Sequence, residues 1–377
     1  MKHALILGSL CLLLGAFKLQ DGGKTYEQLK PHMRVVYQSL VNIFPYSFNK
    51  GTLLDRDNTK IISENLQLIA EHSAHIQQLV SSDEKGHAFL SYQLERNAQQ
   101  ALIKYKAGLG DQAQFYIEEL YDTCLSCHTS RTSGSDSVFA MDFAKDFKAD
   151  ALGTFGKARF LSLSRQFEKA LDEYERIFNS ESLSLEELLH YDPFVDYLVL
   201  AIRVKEDRAR VIKTFSTLKQ KPMPLMVKND LEAWVQALTK IAQRPAQKND
   251  LVYARSLLED ARSGKDFPRD RGGLVYYITA SKLLRDHLNK PKIPAQDKAE
   301  TYFQLGIAEL GIGAPYLTIE SGLYFEESIK LAPKAAFAKK AFALYEENLL
   351  YGYSGSSGVN LPEDERTKLE KLRKLVF

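Results

Sequence analysis

Apolar residues recur at spacings of three and four from Thr25 to about Arg131, the period of helices with one buried face. Leu29, Met33, Val36, Leu40 and Ile43 form the first stripe, and Pro45 is expected to end its helix. Ile62, Leu66, Ile69, Ser73, Ile76 and Val80 form the second, with Asp57 or Asn58 as the N-cap and Ser81, Ser82 and Asp83 as the break. A third carries Leu90, Leu94, Ala98, Ala101 and Tyr105 before Gly108 and Gly110. The fourth follows the cap residue Asp111 and places Ala113, Ile117, Leu120, Cys124 and Cys127 on an inward face. Four amphipathic helices joined by short loops predict an up-and-down bundle, an architecture that houses cofactors between facing helices.

Thr129 to Ser137 is a serine-, threonine- and glycine-rich stretch, so residues 132–152 read as a linker containing one short helix near 138–150. From residue 153 to 377 the pattern is helical again, with further helices expected at Tyr191–Val204, Arg208–Leu218, Asp230–Ile241, Leu251–Arg262 and Gly273–Leu288. In Phe167–Phe178, small Ala170 permits close helix approach, and Tyr174 and Phe178 lie one turn apart; Ala158 and Leu161 precede them on the partner helix. Tyr302, Leu305 and Gly306, followed by Phe325, Ser328 and Pro333, repeat the pattern more fully. This half resembles a degenerate tetratricopeptide array, which implies an α-solenoid whose helix pairs bury their apolar faces by stacking and whose concave surface receives a partner. The competing reading is an irregular helical domain with one fortuitous match. The glycine–serine segment Tyr351–Gly358 reads as a flexible loop or a partner-contact loop.

Chemistry enters with Cys124-Leu125-Ser126-Cys127-His128. Cys-x-x-Cys-His is the attachment sequence of a c-type haem: two thiols three positions apart reach the two porphyrin vinyl groups, and the following imidazole becomes the proximal iron ligand. A thioredoxin-like redox pair needs a βαβ setting that this helical region lacks. Structural zinc needs a second pair of ligands, and the only other cysteine is Cys11 in the apolar leader. The expectation is one covalent haem c, held by Cys124 and Cys127 with His128 proximal. Residues 24–131 resemble the cytochrome c′ family, in which the motif also ends the fourth helix and a basic residue follows it. That resemblance implies a propionate contact for Arg131, which stands three positions after His128 where relatives usually have four. It also implies that the first helix covers the distal face, making Met33 the candidate distal ligand; the competing reading of Met33 is core filler. His32 points off the stripe, His72 borders the inward face of the second helix as an alternative ligand, and His75 and His87 read as surface histidines. Met141 is a weaker candidate in the linker.

The amino terminus supplies the compartment that such a haem requires. Met1-Lys2-His3 is a short basic start, the leucine-rich run from Ala4 to Phe17 follows, and Gly15 and Ala16 offer small residues for cleavage. Residues 1–16 therefore read as a signal peptide, or as an uncleaved anchor, although the run falls short of the roughly 20 apolar residues that span a bilayer. A formal net charge of +2 is nearly neutral and argues for neither nucleic acid nor an anionic membrane as partner. No serine–histidine–aspartate group or second metal-ligand cluster stands out in the sequence, so no catalytic residue is named, although peroxidase-like activity stays open. The chain is thus expected to be all-α and periplasmic: a monohaem electron carrier whose repeats dock a redox protein or a helical peptide, tethered to a membrane only if the leader remains. A five-coordinate binder of nitric oxide or carbon monoxide, and a repeat scaffold with a structural haem, are the alternatives.

Overall fold

The computed structural model describes residues 20–47, 50–80, 85–130, 152, 155–181, 183, 188, 192–245, 247, 249–263, 271–313, 319–355 and 358–377. The leader and Arg131, Met141 and nearly all of the expected linker lie outside them. The described chain is all-helical apart from one two-residue β-ladder. It divides into two compact units, residues 1–120 and 121–377, and the division falls inside a helix between Leu120 and Tyr121.

The first unit holds α1 (Gln20–Ser47), α2 (Thr59–Leu79), α3 (Lys85–Lys106) and the beginning of α4 (Gly110–Thr129). α1 packs on α2 and α2 on α3. Side-chain pairs fix the direction of α1 against α2: His32 meets His72, and farther along α1 the Asn42 amide donates to Asn65 Oδ1 at 3.0 Å. Residue numbers rise along one helix as they fall along the other, so the two are antiparallel. The stripes read from the sequence are the buried faces. Val36, Leu40 and Ile43 are buried on α1, Ile62, Leu66, Ile69 and Ile76 on α2, and Leu90, Leu94, Ala98 and Ala101 on α3. One boundary differs from expectation. α1 continues two residues past Pro45, where the Ser47 hydroxyl donates to the Ile43 carbonyl at 2.8 Å. Asn58 is the N-cap residue of α2, as expected, though its side chain makes no capping hydrogen bond; Asp55 caps the 3₁₀ turn Arg56–Asn58 just before it, its carboxylate accepting from the Asp57 amide. α3 ends as its glycine predicts. Gly108 takes φ +70°, its amide reaches the Tyr105 carbonyl, and the Leu109 amide reaches Lys104, the paired bonds of a Schellman motif.

The second unit contains the end of α4 together with α5 (Gly156–Leu163), α6 (Phe167–Asn179), α7 (Pro193–Leu198), α8 (Arg208–Leu218), α9 (Leu225–Ala242), α10 (Asp250–Ser263), α11 (Leu274–Leu288), α12 (Ala295–Ile312), α13 (Ile319–Leu331), α14 (Ala338–Gly352) and α15 (Glu363–Val376). α7 runs directly into a π-helical stretch, Val199–Val204. Each helix of this half expected from periodicity is present, with ends shifted by a few residues. α5 packs on α6, α10 on α11, α11 on α12, α12 on α13 and α13 on α14. An aromatic cluster of Phe178, Phe194, Tyr197, Phe215 and Trp234 fills the core, and Trp234 Nε1 donates to the Arg271 carbonyl at 2.7 Å. Where α12 meets α13, a Cβ on Gly306 would lie 2.6 Å from the Phe325 ring, so only glycine fits there without a shift in the core. Tyr302 and Tyr324 stack nearby with centroids 6.1 Å apart. Of the expected loop, Tyr351 and Gly352 end α14, and Ser354–Gly355 pairs antiparallel with Gly358–Val359, Ser354 opposite Val359.

The second unit is also held by a buried ionic network. Glu309 on α12 accepts from Arg203 at 3.1 Å, from Arg285 at 3.0 Å and from the Ser281 hydroxyl. Arg285 also reaches Glu320 at 2.7 Å, and the Tyr324 hydroxyl donates to Glu320. Two guanidinium groups thus face two carboxylates, so burial leaves no net charge uncompensated. No described helix is long and apolar enough to cross a membrane.

Candidate functional site

Helical spacing in the last two turns of α4 puts Cys124, Cys127 and His128 close together, with Cys124 and His128 one turn apart on the same face. Leu125, between the cysteines, packs against the core of the second unit and fixes that turn. Hydroxyls finish the helix. Thr129 Oγ1 donates to the Leu125 carbonyl at 2.8 Å and Ser130 Oγ to the Cys127 carbonyl at 2.7 Å, which also accepts from the Ser130 amide. The inward stripe expected for α4 is split. Ala113, Ile117 and Leu120 are buried, whereas Cys124, Cys127 and His128 are half-buried, and neither cysteine is in a disulfide.

The state of each donor follows from its surroundings. His128 Nδ1 lies 2.9 Å from the Leu163 carbonyl oxygen at the end of α5. A carbonyl only accepts, so Nδ1 carries the proton and the neutral ring presents Nε2 as a lone-pair donor. Burial pushes the His128 pKa down to about 4, the positive charge of Arg165 lowers it further, and the Leu163 carbonyl opposes both. The carboxyl end of a helix favours an imidazolium by about 0.3–1 kcal/mol. That contribution is the smaller one, and the ring stays neutral. Burial likewise raises the Cys124 thiol to about 12, assisted by Cys127 and Asp122. A thiol held neutral is the opposite of the low-pKa thiolate in a redox-active cysteine pair.

Acidic and basic groups flank the motif. Arg159 on α5 donates to Asp122 at 2.9 Å and lies 3.7 Å from Asp196, which also accepts from the Tyr174 hydroxyl at 3.1 Å. Burial lifts the Asp196 carboxyl to about 6 against the pull of Arg159. Arg165, in the turn after α5, has φ +57° and a buried Nε without a hydrogen-bond partner among the described residues.

A neutral histidine with its Nδ1 proton engaged by a carbonyl is the arrangement that orients metal-bound imidazoles and makes them better donors. Together with two half-buried thiols one turn apart and outside any disulfide, this donor set fits a covalently attached haem. In the haem-free protein, His128 is expected to remain neutral and Nδ1-protonated until the pH falls to about 4. Ring ¹⁵N shifts measured across a pH series check this. The sign for stability follows, because an unfolded histidine takes up its proton near 6.5. This residue's contribution is therefore lost as the pH falls from that value toward about 4.

The remaining sequence candidates divide differently. Met33 is half-buried on α1, less enclosed than Val36 and Leu40, and belongs to the first unit. His32 and His72, read separately in the sequence, meet with Nδ1 atoms 3.0 Å apart, and the His75 ring lies 4.9 Å from that of His32. Burial lowers the His32 pKa, and the neighbouring His75 and His72 add to the effect. Pairing α1 antiparallel with α2 was the signal that could have joined them. His75 is exposed, as expected, while His87 is half-buried. Among the described residues, no three histidine, cysteine, aspartate or glutamate side chains are arranged to hold a metal ion. Sequence reasoning missed Leu163 and Arg165. The usable clue was the Ser164-Arg165-Gln166 turn, which joins two helices without a glycine. No family model, curated protein or solved structure matches the chain.

Proposed function

We propose that the chain is an exported, periplasmic monohaem c-type cytochrome that carries electrons. In this reading the first four helices form a cytochrome c′-like bundle, and the following helices form a tetratricopeptide-like solenoid that docks a redox partner. The observation that carries it is the preset proximal group: neutral His128, its Nδ1 proton on Leu163 and its Nε2 lone pair free, directly after two uncombined thiols. Cys124 and Cys127 hold the haem and His128 is the proximal ligand. Bound haem supplies a one-electron ferric–ferrous couple, whose potential the protein sets through its ligands and surrounding charge. Leu163 orients the imidazole, and burial keeps it unprotonated.

Met33 is the proposed distal ligand, since methionine opposite histidine raises the reduction potential and suits a carrier. Protein produced with haem-attachment machinery is expected to retain its haem through acid–acetone extraction and to be low-spin when reduced. Met33→Ala is then expected to be high-spin and to bind carbon monoxide rapidly, as visible absorption and electron paramagnetic resonance would show. High-spin wild-type protein that takes up carbon monoxide or nitric oxide at once would replace the carrier by a gas-binding protein. A low-spin spectrum that survives Met33→Ala points to His32 or His72 instead. Freely extracted haem removes the cytochrome reading altogether.

A further inference from the structure

We infer that Arg165, on the turn between α5 and α6, holds a carboxylate of the attached haem, that is, a propionate, on the His128 side; the inference rests on the haem reading above. The same turn already serves that side, because Leu163, two residues earlier, supplies the carbonyl that accepts from His128.

Three observations converge on Arg165. The first is its backbone. The Arg165 amide bonds to the Ser162 carbonyl and the Gln166 amide to Leu161, which makes Arg165 the left-handed residue of a Schellman motif. At the matching position after α3 the chain uses Gly108. A long side chain in this conformation is strained, and such strain collects at functional sites. The second is an unmet donor. Arg165 Nε is buried and has no hydrogen-bond acceptor among the described residues. Buried donors are seldom left without one. The third is that the nearby acids are already engaged: Asp122 and Asp196 face Arg159, and no described carboxylate pairs with Arg165. A guanidinium offers a planar fork that matches a carboxylate, so a propionate supplies the missing acceptor in kind and in charge.

The test uses full-length protein with haem attached. Because the left-handed conformation suits glycine, Arg165→Gly removes the guanidinium and relieves the backbone together. It is expected to load haem fully and to melt no lower than wild type. Its propionate bending band in resonance Raman spectra should shift. Its reduction midpoint should fall, since a cation near the haem favours the ferrous state. The midpoint should also gain a slope in mildly acidic solution, where a propionate released from Arg165 takes up a proton. Arg165→Lys, which keeps the charge, should recover the midpoint in part. If Arg165→Gly fails to accumulate, Arg165→Asn, which tolerates the same backbone, gives the same readouts. An unchanged Raman band and midpoint in haem-loaded Arg165→Gly would overturn this inference and leave the cytochrome reading standing. Wild-type protein without covalent haem overturns both.

Discussion

Replacing Cys124 and Cys127 together by alanine is expected to abolish covalent haem completely. Protein co-produced with the attachment machinery should then lose all haem staining after denaturing electrophoresis. The size of the effect follows from bond type: thioethers survive denaturants and acid, whereas a haem held only by His128 does not. Each single substitution should leave one thioether and one unreacted vinyl group, which shifts the pyridine haemochrome band to longer wavelength. Both cysteines are only half-buried, so alanine at either position removes little packing. Helical content by circular dichroism should therefore be retained. Haem that remains attached to the double variant would refute the central assignment.

Glu309→Gln is expected to destabilise the second unit by about 3–5 kcal/mol, the usual consequence of removing one partner from a buried ion pair. Glu309 accepts from both Arg203 and Arg285, and without its charge the two guanidinium groups share only Glu320. The alternative view treats the network as incidental polar packing. Ordinary surface ion pairs contribute about 0–1 kcal/mol, so a loss of that size would support it. Urea unfolding of the two proteins separates the outcomes. The pH dependence has a definite sign. Burial raises the Glu309 carboxyl, but Arg203 and Arg285 outweigh it and hold it below the ordinary value. The network is therefore at full strength above the carboxyl's unfolded value and weakens as the pH falls through its folded one.

Helix positions were legible because burial and period agree. The α8 helix matches its expected range, and the buried faces of α2 and α3 are the apolar stripes. The Cys124–His128 motif was legible as a candidate because its five residues are contiguous and stand at the spacing that haem attachment would need. Legibility ended where a function depends on a backbone atom or on another element. Leu163 acts through its carbonyl, which any residue could provide, and it lies 35 positions from His128. Arg165 is one of many basic residues until its φ angle and unmet Nε are known. The pairing of His32 with His72 depends on helix register, which periodicity does not supply. Arg203, Arg285 and Glu309 resemble solvated charges in the sequence, and only the packing of three separate segments turns them into a core.

The boundary between Leu120 and Tyr121 changes what counts as a gene fragment worth cloning. A piece ending at residue 131 contains every residue of the attachment motif, yet it lacks the Leu163 carbonyl that selects the tautomer of His128. On the proposed haem reading, such a truncation keeps both cysteines for attachment, while its imidazole is free to choose which nitrogen to present. The shortest segment that keeps the Leu163 carbonyl in its closed turn extends to Gln166, and so carries α5 with it.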